Sequence, residues 1–481
     1  MNYKMVLSII GKTLIIEAVL MLCPMLVGII YGENNYLSFL IPILGLFVIG
    51  LPFANIKMKD KSIYAKEGFV TVALCWILMS AFGALPFVIS GEIPSYIDAF
   101  FETVSGFTTT GSSILKDIEA LSRDMLFWRS FTHWIGGMGV LVFLLAVIPQ
   151  SDSGIMHVFR AESPGPSVSK LVSKLTHTAR ILYAIYVVMT AVMFVMLVAG
   201  GMPVFDSLVN SFATAGTGGF ATKNLSIAHY NSVYSEIVIA VFMLLFGINF
   251  NFYYLILIGN VKKAFKSEEL RTYLIITIVA TVIITINILS SCASFGEALR
   301  FSFFQVTSVS STTGFSTVNF VEWPAFSKGV LLILTVVGAC GGSTGGGFKV
   351  SRLVILVKST FKDVKKLTYP RSVPSVKFEN EPVGRDVERN VRSLFIILML
   401  LIAIVTLMLC IDCNDFFTNL SATLTCIGNV GPGLTELVGP LGNFSFYSPL
   451  SKILLSLTML AGRLEIFPIL ILFAPRTWKR G

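Results

Sequence analysis

The sequence predicts an all-α polytopic membrane protein. It is expected to comprise four concatenated units, each a span, a short re-entrant segment and a second span, set with pseudo-fourfold symmetry about one axis. Two extra helices precede the first unit. Three observations lead there. Of 481 residues, 54% are hydrophobic and 13% charged, with a mean hydropathy of +0.80, which lies outside the range of soluble domains. Apolar stretches long enough to cross ~30 Å of hydrocarbon as helices recur along the whole chain. Between them, short apolar segments end four times in a Thr/Ser/Gly run, where a helix does not continue.

In chain order the expected spans are residues 5–31, 36–54, 68–90, 126–149, 180–200, 233–259, 272–294, 329–357, 393–411 and 447–474, about ten crossings. The first begins with Lys4 and Lys12 but is too long for a signal peptide and lacks a small-x-small cleavage site, so it is read as retained. With the N-terminus inside, 28 of the 36 Lys and Arg residues fall in inner segments and seven outside: Lys116, Arg123, Arg129, Lys223, Arg300, Lys328 and Lys452. That is the positive-inside distribution, and an even number of spans leaves both termini in the cytoplasm. Because the cations are spread over every inner loop, the net charge of +9 does not indicate nucleic acid. Cys410 and Cys413 form a lone C-x-x-C without a nearby histidine, read as packing and not as a metal site. His133, His157, His177 and His229 pair with no nucleophile. No enzymatic grouping and no cofactor is expected.

The re-entrant segments are the informative part. "SYIDAFFETVSGFTTTGSS", "PVFDSLVNSFATAGTGGFAT", "GEALRFSFFQVTSVSSTTGFST" and "NDFFTNLSATLTCIGNVGPG" align so that Gly111, Gly219, Gly314 and Gly431 are equivalent. Asp98 and Asp206 each precede their glycine by 13 residues, an independent check on the register. The glycines are 108, 95 and 117 residues apart, too far for a solenoid repeat. The division that follows is a two-helix extension at 1–60 and units at 61–175, 176–265, 266–375 and 376–481.

Each apolar piece is about half a bilayer long as a helix, and non-helical backbone at membrane depth is tolerated where it is enclosed by protein or lines an aqueous path. Four such pieces around one axis present backbone carbonyls to it, and such rings replace the hydration shell of a monovalent cation. Glycine permits the angles that aim carbonyls inward. The candidate ion-binding residues are therefore Thr109, Thr110 and Gly111; Thr217, Gly218 and Gly219; Thr312, Thr313 and Gly314; and Asn429, Val430 and Gly431. The ion itself is placed at Thr110, Gly111, Gly218, Gly219, Thr313, Gly314, Val430 and Gly431.

With "TTTGS", "GTGGF", "STTGF" and "NVGPG" in order, joined by "HWIGGMG" (133–139), "AESPGP" (161–166), "GGSTGGGFKVSR" (341–352) and "GRLEIFP" (462–468), the chain resembles the Trk/Ktr/HKT superfamily of potassium transporters over essentially its whole length. Its two N-terminal spans make it most similar to the bacterial TrkH/TrkG membrane subunits. The resemblance implies a gated, channel-like potassium uptake subunit of the bacterial inner membrane. It also implies a homodimer and a cytosolic nucleotide-binding regulatory subunit of the TrkA type. Glycine in all four units goes with potassium selectivity, whereas serine in the first goes with sodium permeation.

The span at 329–357 is interrupted by "GACGGSTGGGFK", with Gly338, Gly341, Gly342, Gly345, Gly346 and Gly347 in twelve positions. Such a run cannot hold a helix, and Phe348 before Lys349 breaks the phosphate-loop pattern. By resemblance it is a gating loop beneath the filter, with Lys349 and Arg352 either anchors at the cytoplasmic face or part of the gate. Arg463 falls inside a span, where a cation costs at least ~2.5 kcal/mol and faces a cavity or a partner. Glu465 is too near along a helix, so a remote partner is expected: a carboxylate, the glycine-rich loop or water. By resemblance Arg463 lies by the pore under the filter as an electrostatic barrier, and it is further expected to limit cation flow and help hold the loop closed. Residues 358–392, basic and carrying Pro370, Pro374 and Pro382, are too polar to enclose a core, and could contact acidic lipid or a cytosolic partner. No chain of intramembrane carboxylates outlines a proton relay, so conduction is favoured over proton- or sodium-coupled symport of the same fold.

Overall fold

The computed structural model describes residues 1–56, 65–139, 175–371, 375–412 and 414–478. "AESPGP", His157, Cys413 and the second half of the expected span at 126–149 lie outside them. Among the described residues, six helical segments are long and apolar enough to cross a membrane: Tyr3–Tyr31, Tyr36–Ala54, Lys66–Ser90, Ala179–Ala199, Glu268–Ser291 and Arg385–Asp412. They match the first three expected spans and the first span of each later unit. The first two pack where Gly11 meets Gly50: a Cβ on Gly50 would lie 3.0 Å from the Gly11 carbonyl oxygen. Small residues let the two backbones approach. Glu17, on the first of these helices, is wholly buried and has no hydrogen-bond partner among the described residues. The sequence reading passed over this carboxyl.

In the second, third and fourth units the second span departs from a plain helix. Val233–Phe246 and Phe250–Leu257 meet at a bend of 88°, where one continuous span was expected at 233–259. Asn249 caps the new helix by accepting from Asn251 N at 2.9 Å. The interruption expected at 338–349 is present, between the helices Ala325–Val337 and Val350–Thr368. The last span is broken too. Pro449–Arg463 ends at Arg463, Glu465 and Ile466 take φ of 59° and 67°, and a new helix runs over Phe467–Phe473. Arg463 therefore sits at a helix end, not in mid-helix as expected.

The segment 358–392 is more ordered than its polarity suggested. The helix Val350–Thr368 covers its first part, a two-residue hairpin pairs Lys377–Phe378 with Glu381–Pro382, and Arg385 opens the next helix. It is held by ion pairs rather than a core of its own: Lys358 reaches outside it to Glu268, while Lys362 with Glu388 and Arg392 with Asp363 at 2.5 Å tie its two helices to each other. Phe378 adds an apolar contact in a cluster with Ile355, Leu394 and Ile466.

Candidate functional site: four converging loops above a glycine-rich plug

The four re-entrant segments are helices over Tyr96–Phe107, Val204–Gly216, Phe295–Ser310 and Phe416–Gly428. Three have polar N-caps. Ser95 Oγ accepts from Asp98 N, Ser294 Oγ from Glu297 N, and Asp415 from Phe417 N and Thr418 N. All four stop in the same way. Thr109, Thr217, Thr312 and Asn429 take left-handed φ of 55°, 55°, 63° and 53°. The next residue then donates its N–H five residues back: Thr110 to Ser105, Gly218 to Ala213, Thr313 to Ser308 and Val430 to Thr425, at 2.8–3.0 Å. This is the Schellman cap, usually built on glycine. Left-handed threonine is an outlier, because its β-branch crowds the backbone.

Two residues further on, Gly111, Gly219, Gly314 and Gly431 again take positive φ, from 77° to 99°. Positive φ thus falls on the first and third of the three residues in each loop and not on the second, and the four loops meet in cyclic order. A Cβ on Gly111 would overlap the Gly218 carbonyl oxygen, one on Gly219 that of Thr313, and one on Gly314 that of Val430. One on Gly431 would lie 2.8 Å from that of Thr110, closing the ring. All twelve loop residues named from the sequence are thus brought together. The equivalent carbonyls of Thr110, Gly218, Thr313 and Val430 each abut the glycine of the preceding unit, with the fourth unit preceding the first around the ring.

The glycine-rich segment lies directly against the inner ends of these loops. Gly346 N donates to Thr312 Oγ1 at 2.7 Å, and a Cβ on Gly346 would lie 3.0 Å from the Cβ of Asn429. Gly338, Gly342 and Gly347 take φ of 71°, 72° and 78°. Lys349 (φ 72°) and Arg352 are buried, not spread at the interface. Lys349 Nζ donates to Gly345 O, and Arg352 pairs with Glu465. Arg463 has found remote partners, and they are carbonyls. Nη1 donates to Thr344 O in the loop at 2.7 Å, and Nη2 to Gly136 O and Gly137 O at 2.5 and 2.9 Å. It ties the plug to the first unit beside a cavity of about 80 Å³ lined by Gly137, Gly345, Gly346, Lys349 and Arg463.

Four supporting residues escaped the sequence reading. Glu269 Oε1, buried, accepts from Gly341 N at 2.6 Å and Ser351 N at 3.1 Å, stapling both ends of the loop. Arg129, counted above as an outer-loop cation, is buried in a pair with Glu102 at 2.8 Å. Glu102 Oε2 in turn accepts from Ile114 N just beyond the first loop. His133, assigned no partner above, lies between the first two units. Two more outer cations are also paired across helices: Lys452 with Asp98 at 2.6 Å and Arg300 with Glu236 at 3.4 Å. At the outer rim, the Lys223 ammonium hydrogen-bonds Glu119 and holds its carboxyl below the ordinary range.

Comparison with known proteins gives one consistent result. The family model TrkH, a cation transport protein, matches residues 41–480. The Trk system potassium uptake protein TrkH of Salmonella typhimurium is 34% identical over a 490-residue alignment that covers 100% of both chains. The Trk system potassium uptake protein TrkG of Escherichia coli is 31% identical, covering 99% of each. The crystal structure of the potassium transporter TrkH from Vibrio parahaemolyticus superposes with a TM-score of 0.90 at 30% identity, covering 100% of both chains.

Proposed function

Since the chain belongs to the TrkH family of cation transport proteins, we propose that it takes up potassium across the bacterial cytoplasmic membrane. The path is central and gated, and both termini face the cytoplasm. The ring of four carbonyls from Thr110, Gly218, Thr313 and Val430, each seated against the preceding unit's glycine, carries this reading. A dehydrated monovalent cation exchanges water for such oxygens. The four short helices also end beside the ring, so the negative ends of their dipoles favour a cation there.

The plug below is the gate. Its six glycines leave the backbone many accessible conformations, so it blocks the path in one and clears it in another. Arg463 and Lys349 place two positive charges under the filter, and Arg463 holds the plug to Gly136 and Gly137. Opening exchanges those carbonyl bonds for water. A second copy of the chain and a cytosolic nucleotide-binding regulator supply the assembly and the trigger.

The test is potassium against sodium flux in liposomes holding the purified chain, compared with Gly111→Ser. At φ 81° and against the Gly218 oxygen, serine at 111 must displace that carbonyl. The potassium preference falls by about tenfold, equivalent to about 1.4 kcal/mol between the two ions. An unchanged ratio removes Gly111 from the filter.

A further inference from the structure

In three units the residue before the filter glycine carries a side chain: Thr110, Thr313 and Val430. In the second it is Gly218. Its φ is not positive, so backbone conformation does not demand a glycine there. What demands it is His133. A Cβ on Gly218 would fall within the His133 imidazole.

His133 is wholly buried on the helix Arg123–Gly137 and joins two units. Its Nδ1 lies 2.7 Å from Gly106 O, near the end of the first re-entrant helix. Its Nε2 accepts from Phe220 N, just after Gly219, at 3.3 Å. A carbonyl partner requires the proton on Nδ1, which leaves the lone pair on Nε2 for the Phe220 N–H. One tautomer of the neutral ring satisfies both bonds. The Phe220 ring is then gripped from two sides, by the imidazole at 4.2 Å between centroids and by the Arg129 guanidinium at 4.1 Å. Arg129 and His133 are one helical turn apart, so a single face of one helix sets the second loop.

We propose that His133 is a positioning residue for ion selectivity. By accepting the Phe220 N–H from a fixed place on its helix, it sets where the Gly218 carbonyl stands in the ring of four. The inference rests on the filter reading above, and adds to it that the first and second units are bolted together by a side chain belonging to neither loop.

The test uses the full chain in liposomes, with potassium and sodium flux measured for His133→Gln, His133→Asn and His133→Ala, and Gly111→Ser run beside them. Monodisperse elution of each variant establishes that it has folded. A glutamine amide oxygen reaches the Nε2 position and keeps the Phe220 bond; an asparagine amide reaches only the Nδ1 position. Asn and Ala are expected to lower potassium over sodium by about tenfold, while Gln stays within about twofold of the parent, the difference expected from one buried hydrogen bond. Asn matching the parent, or Gln falling as far as Ala, overturns the assignment of His133. If those results come with a lowered ratio in Gly111→Ser, the filter reading stands and His133 alone is dismissed. If Gly111→Ser itself leaves the ratio unchanged, the filter reading falls and the role of His133 falls with it.

Discussion

Thr109, Thr217 and Thr312 hold left-handed backbone angles that β-branched residues avoid, at a cost of about 1–3 kcal/mol each. Strain of that size persists only where the surroundings fix it, and the contacts around the loops do so. Glu102 and Arg129 are both buried behind the first loop and hydrogen-bond its exit. Removing one partner of a buried pair leaves the other charge stranded, so Glu102→Ala is expected to lower stability by about 3–5 kcal/mol. Denaturant unfolding of the purified protein measures this, and a loss under about 1 kcal/mol would mean that water already screens the pair. Arg463→Ala removes a positive charge beside the loops and the bond to Thr344 O. Potassium flux is expected to rise by about tenfold, the scale for removing a unit charge near an ion path in a partly screened interior. Flux unchanged in rate and ion preference contradicts a gating role. Arg463 was legible in the sequence because a cation amid apolar residues is conspicuous, and the glycine-rich loop was among the partners expected for it; Gly136 and Gly137 were not, because main-chain carbonyls carry no sequence signature. His133 was illegible for a related reason, since its importance lies in what Gly218 leaves room for.

Among the elements, the glycine-rich loop is held by a few contacts to other parts of the chain. Its ends are joined by one carboxylate, Glu269, whose Oε1 accepts from both Gly341 N and Ser351 N. Its middle contacts Thr312 and Arg463. Glu269→Ala frees the loop ends without touching the ring, so flux in liposomes is expected to increase severalfold with the potassium-to-sodium ratio unaltered. A changed ratio would place Glu269 in selectivity and not in the gate. The loop itself was legible, since six glycines in twelve positions exclude a helix. The breaks at Gly247–Asn249 and at 464–466 were not. Both lie inside apolar runs whose hydropathy continues across them, and a hydropathy window records length without direction. The order within 358–392 was also missed, because ion pairs to distant residues such as Glu268 replace the core that its composition lacks.

At the scale of the molecule, four different sequences make one local structure. The helix stop, the left-handed residue and the positive-φ glycine recur in each unit although only the glycine is common to all four loops. This is why the register could be read from sequence: glycine is the residue that a fixed positive φ selects. Individual buried carboxylates, Glu17, Glu102 and Glu269, occur in the membrane segments. Glu102 and Glu269 are occupied in holding the loops, so they do not form a relay. Passive conduction is therefore expected, and an imposed pH gradient at zero membrane potential leaves potassium flux unchanged. Flux driven by the pH gradient alone would favour symport.

The central claim is that the oxygens of Thr110, Gly218, Thr313 and Val430 coordinate the transported ion. Anomalous diffraction from crystals soaked in thallium or rubidium tests it most directly. The account predicts a peak on the axis at the level of those four oxygens, lost when sodium replaces the heavier ion. A filter with no peak there, or with the ion bound elsewhere in the path, would contradict it.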